Sequence, residues 1–143
     1  MRYLLLPSQV PMFWEAIKKC VVDAGEIEEK ERPAYFTDLL HALLSSKAQC
    51  FIRLSDERIL EAIAITRLKS DKYKEQSSLY VEALYSWKSQ GDSTWKEDMS
   101  FIHKFARLQK CSFISCQSRN PAVWRLYEII GLKETYRTFA YYL

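Results

Sequence analysis

The chain reads as one α/β domain, residues 1–143, built on a mixed and mainly antiparallel sheet. Three observations carry that reading. β-like runs and amphipathic helical stretches follow one another in the order β-α-α-β-β-β-α-β-α-β. Three of the β runs, at 49–54, 59–67 and 78–87, are consecutive, as in an antiparallel meander. The 143 residues are 48% hydrophobic and 14% aromatic, with only 3 Gly and 4 Pro, enough for one sizeable core and too ordered for a linker or a repeat array.

Each element has its own signal. Residues 3–6 form a first strand, which Pro7-Ser8 ends too early for a signal peptide. Ser8 then caps a helix whose apolar positions Phe13, Ile17, Cys20, Val21 and Ala24 keep helical spacing up to Gly25. The charge run 26–32 reads as a solvated loop, and Pro33 opens a second helix carrying Phe36, Leu39, Leu40, Leu43 and Leu44. Ser55-Asp56-Glu57-Arg58 is a tight turn that joins 49–54 to 59–67 as a hairpin. A long helix over 95–109 follows, with Thr94 and Glu97 as its capping box. After a fifth strand at 111–116, Asn120 is the N-cap, Pro121 the first residue and Gly131 the left-handed terminator of a helix over 121–130. Residues 135–143 form the last strand.

Composition excludes several functions. The longest apolar runs are four or five residues, far short of a membrane span, and the protein is expected to be cytoplasmic. A net charge of +3 gives no nucleic-acid signal, and Arg67, Lys69, Lys72 and Lys74 read as a solvated hairpin loop. The four cysteines at 20, 50, 111 and 116 have no metal-ligand spacing and read as buried free thiols. His41 and His103 lie on helices without catalytic neighbours.

The run Asn120-Pro-Ala-Val-Trp-Arg-Leu-Tyr-Glu-Ile-Ile-Gly-Leu132 resembles the penultimate helix of the GNAT superfamily of N-acetyltransferases. The family pattern is Asn-x-x-Ala-x-x-Leu-Tyr-Glu-x-x-Gly-Phe. Asn120, Ala122, Leu126, Tyr127, Glu128 and Gly131 fit it with a residue of slack after the Asn, and Leu132 replaces the Phe. The order of elements is also the family's across the whole chain, although the family usually ends on two strands rather than one.

The resemblance implies a GNAT-like fold with strands four and five splayed apart. It implies transfer of an acetyl group from acetyl-CoA to an amine on a small molecule or protein, by direct attack and without a metal. Tyr127 would be the general acid and Glu82 the possible base. Leu84 and Tyr85 would offer backbone N–H groups to the thioester carbonyl, and Asn120 would contact the pantetheine or adjacent backbone. The family's phosphate cradle, Gln/Arg-x-x-Gly-x-Gly/Ala, falls on residues 86–95. In one register Gln90 and Gly91 start the motif, with Ser93 and Trp95 at its glycines; in the other, Lys88, Gly91 and Ser93 fill it. Thr94 lies within the same loop. Asp92, Glu97 and Asp98 place negative charge at the helix start, offset by Lys88 and Lys96.

The eroded glycine loop also fits a rival: a catalytically silent GNAT-fold interaction or structural protein, similar to those encoded by phages and prophages, some of them virion components. In that case the cleft should be filled by Trp87 or Trp95. A third reading is a transferase with another acyl donor, acting on nucleic acid through the 67–74 loop.

Overall fold

The computed structural model describes residues 1–71, 73 and 75–143. Lys72 and Lys74 of the basic cluster therefore lie outside the described residues. Five strands form one sheet in chain order: β1 (Arg2–Leu4), β2 (Ala48–Leu54), β3 (Leu60–Asp71), β4 (Gln76–Ser86) and β5 (Phe113–Cys116). All neighbours are antiparallel except β4 and β5, which run parallel. Helices α1 (Val10–Ala24) and α2 (Arg32–Leu44) cover one face. Helix α3 (Asp92–Leu108) and helix α4 (Pro121–Ile129) pack toward the other.

The pattern of apolar residues explains the two layers. Ile17, Cys20 and Val21 of α1 and Leu39 and Leu43 of α2 point into one core with Cys50, Ile52, Ile63 and Ile65. Met99, Ile102 and Ala106 of α3 recur at helical spacing and meet Phe51, Ala64 and Leu79 from the opposite sheet face. β2 is buried along nearly its whole length because helices lie on both sides of it. Among the described residues no helix is long and apolar enough to cross a membrane.

Several ends follow the sequence signals. Gly25 stops α1 in the left-handed conformation, at φ 74°. Asn120 Oδ1 accepts the Ala122 N–H at 3.0 Å and starts α4. At the other end Gly131 has φ 97°, its N–H reaches Glu128 O at 3.1 Å, and the Leu132 N–H reaches Tyr127 O at 2.9 Å. These paired bonds satisfy the last carbonyls of α4 and turn Leu132 back onto the core.

Other ends differ. Ser8 lies inside a 3-10 turn (Pro7–Gln9), where the Leu6 N–H is capped by Gln9 Oε1 at 2.8 Å, so α1 starts at Val10. α3 begins three residues earlier than its expected capping box. The extended backbone of Gly91 serves as N-cap, and Thr94 to Glu97 are already helical. Glu97 instead meets Arg2 at 3.1 Å. Residues 135–143 join no strand. Tyr136, Phe139, Tyr141 and Tyr142 are largely exposed there, since no neighbouring strand takes up their backbone groups. Cys20 and Cys50 are buried as expected, whereas Cys111 and Cys116 are only half-buried near the sheet edge.

Leu79, fully buried on β4 beside β5, tests the packing directly. Leu79→Ala should lower the unfolding free energy by about 2–5 kcal/mol through lost contact and a residual cavity. Urea denaturation measures it, and a loss below about 1 kcal/mol would mean this interface is not packed as described.

Candidate active site

Two β-bulges shape the functional end of the sheet. In β3, Arg53 of β2 faces Ala62 while Leu54 faces Leu60, so Glu61 is the extra residue. In β4, Ile65 faces Ala83 while Thr66 faces Val81, so Glu82 is the extra residue. Each bulge carries a carboxylate, and each carboxylate finds a cation. Glu82 is paired with Arg67 and accepts from Tyr35 Oη at 2.6 Å, while Arg67 also meets Asp38 at 2.7 Å. Burial opposes the charge on Arg67, but Glu82 and Asp38 outweigh it and hold the guanidinium above its ordinary pKa. The Tyr35 phenol is raised by burial first and then by Glu82.

Pairing between β4 and β5 covers four residues, from Ser78 opposite Phe113 to Val81 opposite Cys116. Beyond that point the strands part, and residues 82–86 of β4 have a neighbour only on the β3 side. The Trp87 N–H donates to Glu61 O at 2.8 Å. By strand alternation Tyr85 also turns its N–H toward β3, while Leu84 and Ser86 turn theirs to the open side. Of the two backbone donors suggested by the sequence, Leu84 therefore faces the splay.

Tyr127 of α4 lies where the strands separate. Its hydroxyl donates to Gln117 O at 3.3 Å. Burial first, and then Cys116, Glu26 and Tyr80, push its phenol above the ordinary value, so it is protonated at neutral pH. Burial likewise pushes the Cys116 thiol up to about 12. A thiol that stays protonated is a poor nucleophile, which leaves no activated cysteine at this position.

The loop between β4 and α3 is tied down from beneath by side chains. Arg53, at 8% exposure, reaches Glu61 at 3.3 Å, Asp98 at 3.2 Å and Ser86 Oγ at 3.4 Å, and also donates to Gln90 Oε1. Gln90 in turn donates to Asp98 at 3.2 Å, and Ser86 Oγ donates to Lys88 O at 2.7 Å. Lys88 meets Glu61 at 3.0 Å, and Arg2 meets Asp98 at 2.6 Å. Gln90 is thus a scaffold side chain. Asp98 and Glu97 are balanced by Arg53 and Arg2, which leaves Asp92 as the acid nearest the helix start.

That helix start suits an anion. No side chain caps it, and among the described residues the Asp92, Ser93 and Thr94 N–H groups have no hydrogen-bond partner. A methyl group added at Gly91, the residue before these donors, would meet nothing within 4 Å. Trp95 packs into the α3 core layer. Trp87 turns away toward α1, donating from Nε1 to Asp23 at 2.8 Å. Asn120 is committed to its cap. A surface groove lies elsewhere, along Lys69, Gln76, Ser78 and Phe113 near the far end of β4.

Sequence reasoning missed two groups. Arg53 looked like the end of an ordinary strand, and nothing local marks it as the hub of an ion network. Glu26 belongs to a run whose sequence reads as a solvated loop and, with the first two helices, as an acidic wall for the acceptor; the residue itself is half-buried and accepts from Ser118 Oγ at 2.5 Å, bridging the α1–α2 connection to the segment after β5. Its position just after Gly25, a helix terminator that redirects the chain, is the one available signal.

Removing Arg53 would leave Glu61 and Asp98 short of a partner in a water-poor site. Arg53→Met should lose about 3–5 kcal/mol, whereas Arg137→Ala, which breaks the exposed pair with Glu134, should lose at most about 1 kcal/mol. Equal effects in urea denaturation would contradict the network. Lys88 first, then Arg53, holds the Glu61 carboxyl below the usual 4.5. A depressed folded-state value adds stability above pH 4.5 that is lost as pH falls through that lower value. Glu61→Gln should flatten the acid limb of the stability profile; an unchanged limb would rule this carboxylate out as a contributor.

No family model matches the chain, and no curated protein matches it in sequence. Solved structures do match. A predicted acetyltransferase from Clostridium acetobutylicum, solved with acetyl-CoA, has a TM-score of 0.75 at 11% identity over 99% of this chain and 95% of its own. An aminoglycoside acetyltransferase from an uncultured soil metagenomic sample, solved with trehalose, has a TM-score of 0.71 at 17% identity over 100% of this chain and 95% of its own. A ribosomal-protein-alanine N-acetyltransferase from Brucella melitensis biovar Abortus 2308 has a TM-score of 0.70 at 16% identity over 100% of this chain and 99% of its own. At these identities the likeness is one of fold, and the fold of this chain is that of the GNAT acetyltransferases.

Proposed function

We propose that the protein transfers an acyl group from an acyl-coenzyme A to an amine by direct attack. The observation that carries this reading is the open edge of β4 beyond Val81, with the Tyr127 hydroxyl at the point of parting. Acyl-coenzyme A, when bound, supplies an acyl group activated as a thioester. The chain's own groups supply the rest. The Leu84 N–H is placed to face the carbonyl oxygen, and Tyr127 holds the proton for the departing sulfur. The free N–H groups of Asp92, Ser93 and Thr94, with Lys88 and Lys96 nearby, are the donors for pyrophosphate. Asn120 organises the start of α4 and thereby the position of Tyr127.

Departures from the family's glycine pattern are compatible with this reading. A side chain at Gly91 would meet nothing within 4 Å, and Ser93, which stands at a glycine position of the motif in either register, is exposed. Loop shape is fixed by Arg53, Ser86 and Gln90 rather than by glycine backbone freedom. Two of the three acids near the helix start are paired to arginines, which relieves most of the repulsion expected for a phosphate. Direct attack is favoured over an acyl-cysteine because burial disfavours the thiolate of Cys116, the nucleophilic form. The acceptor class is an amine; the acetyltransferases of like fold include an aminoglycoside enzyme and a ribosomal-protein-alanine enzyme, so fold leaves its size open.

Thermal unfolding with millimolar acetyl-CoA tests the reading. A ligand at 100 times its dissociation constant adds about 2.7 kcal/mol, which should raise the midpoint by roughly 5–15 °C for a domain of this length. Tyr127→Phe should keep the shift and lose roughly 10²–10⁴-fold in turnover. No shift in either protein would set the transferase reading aside in favour of a non-catalytic scaffold.

A further inference from the structure

We infer that Glu26, rather than Glu82, is the carboxylate that takes the proton from the acceptor amine. The inference rests on the transfer reading above. Its ground is the disposition of the two carboxylates that reach the splay. Both oxygens of Glu82 are engaged, one by Arg67 and the other by the Tyr35 hydroxyl at 2.6 Å. A proton arriving there would have to displace a guanidinium from a half-buried ion pair, and removing one partner of such a pair is unfavourable. Glu82 is better explained as the residue that pins the β4 bulge to α2.

Glu26 stands differently. The left-handed turn at Gly25 sends the chain from the end of α1 toward the segment after β5. There one Glu26 oxygen accepts from Ser118 Oγ at 2.5 Å, and among the described residues the other oxygen has no hydrogen-bond partner. Ser118 directly follows Gln117, whose carbonyl accepts the Tyr127 hydroxyl. The proton donor and a carboxylate with spare accepting capacity are therefore held by two consecutive residues at the parting of β4 and β5. The influence of Glu26 on both the Tyr127 and Tyr80 phenols agrees with that closeness. The same connection carries Glu28, Glu29 and Glu31 against Lys30 and Arg32, with Glu28 paired to Lys30 at 3.5 Å, so with Glu26 its net charge is still negative toward a cationic amine.

The step balances on these groups. Glu26 takes one proton from the ammonium form of the acceptor, freeing the nitrogen lone pair. That pair forms the C–N bond to the acyl carbon, and the C–S bond breaks with its electrons leaving on sulfur. Tyr127 gives its hydroxyl proton to sulfur and regains one as nitrogen sheds its second proton. Glu26 returns its proton to water.

The test compares wild type, Glu26→Gln, Glu26→Asp and Glu82→Gln for acetyl transfer from acetyl-CoA to spermidine, lysine amide and an alanyl peptide. Thiol release and product mass are followed together, with thermal melts as the folding control. Glu26→Gln should lose roughly 10²–10⁴-fold in kcat while its acetyl-CoA KM and thermal shift stay as in wild type. Glu26→Asp should recover part of the loss, and Glu82→Gln should fall less than Glu26→Gln. Wild-type turnover in a folded Glu26→Gln, or a loss confined to a folded Glu82→Gln, overturns the assignment while leaving the transfer reading intact. A wild-type protein that binds acetyl-CoA and acetylates none of the three amines counts against transfer to an amine, and against Glu26 with it. Failure of the wild type to bind acetyl-CoA overturns the transfer reading itself, and Glu26 with it.

Discussion

The four-residue parallel pairing of β4 with β5 is the constraint on which the site depends. If it continued, every backbone group on that side of β4 would be consumed by the sheet. It stops because β4 carries an extra residue at Glu82 and because the chain leaves β5 after Cys116 toward the Asn120 cap. The bulge is held in place by an ion pair and a tyrosine hydrogen bond from the α2 side. What remains is an unpaired stretch of strand beside a helix start with free donors and a protonated phenol. Each of these features is ordinary by itself, and the proposed chemistry draws on their convergence at one end of the sheet.

A second constraint supports the first from the opposite side of the loop. Arg53, Glu61, Asp98, Arg2, Lys88 and Gln90 join β1, β2, β3, α3 and the β4–α3 connection in one network. Buried charges are tolerated only when paired and hydrogen-bonded, so the network has few alternative arrangements. It gives a physical reason why a loop poor in glycine holds a defined shape. It also turns Glu97 and Asp98 from obstacles to an anion into structural partners of two arginines. The charge that an incoming phosphate would meet is thereby smaller than a count of nearby acids suggests.

What the sequence reveals and what it hides divides along the range of the interactions. Asn120, Pro121 and Gly131 act within a turn of their own positions, so the α4 boundaries are readable residue by residue. The Ser55–Arg58 turn is equally local, and the hairpin it predicts is present. The two bulges depend on how strands register across the sheet, which no single strand records. Glu82 was visible as an odd carboxylate in an apolar strand, but its partner Arg67 comes from another strand. The Thr94–Glu97 box failed because Glu97 found Arg2, 95 residues away in sequence. Residues 135–143 alternate like a strand and stay unpaired, because strand propensity specifies a side-chain pattern and not a neighbour. Glu26 was hidden by the bland appearance of a charge run, and only the fold brings it to Ser118.

The fold alone is shared by acetyltransferases of quite different acceptors, so the proposed chemistry depends on the open β4 edge and the α3 start. Amide chemical-shift mapping by NMR during titration with acetyl-CoA tests that claim most directly. The account predicts shifts concentrated at Leu84, Ser86, Gly91 to Thr94 and the region of Tyr127, with β1 and α2 little changed. Shifts that leave Leu84 and Gly91 to Thr94 untouched would contradict it, because any binding would then lie away from the open stretch of β4 and the start of α3.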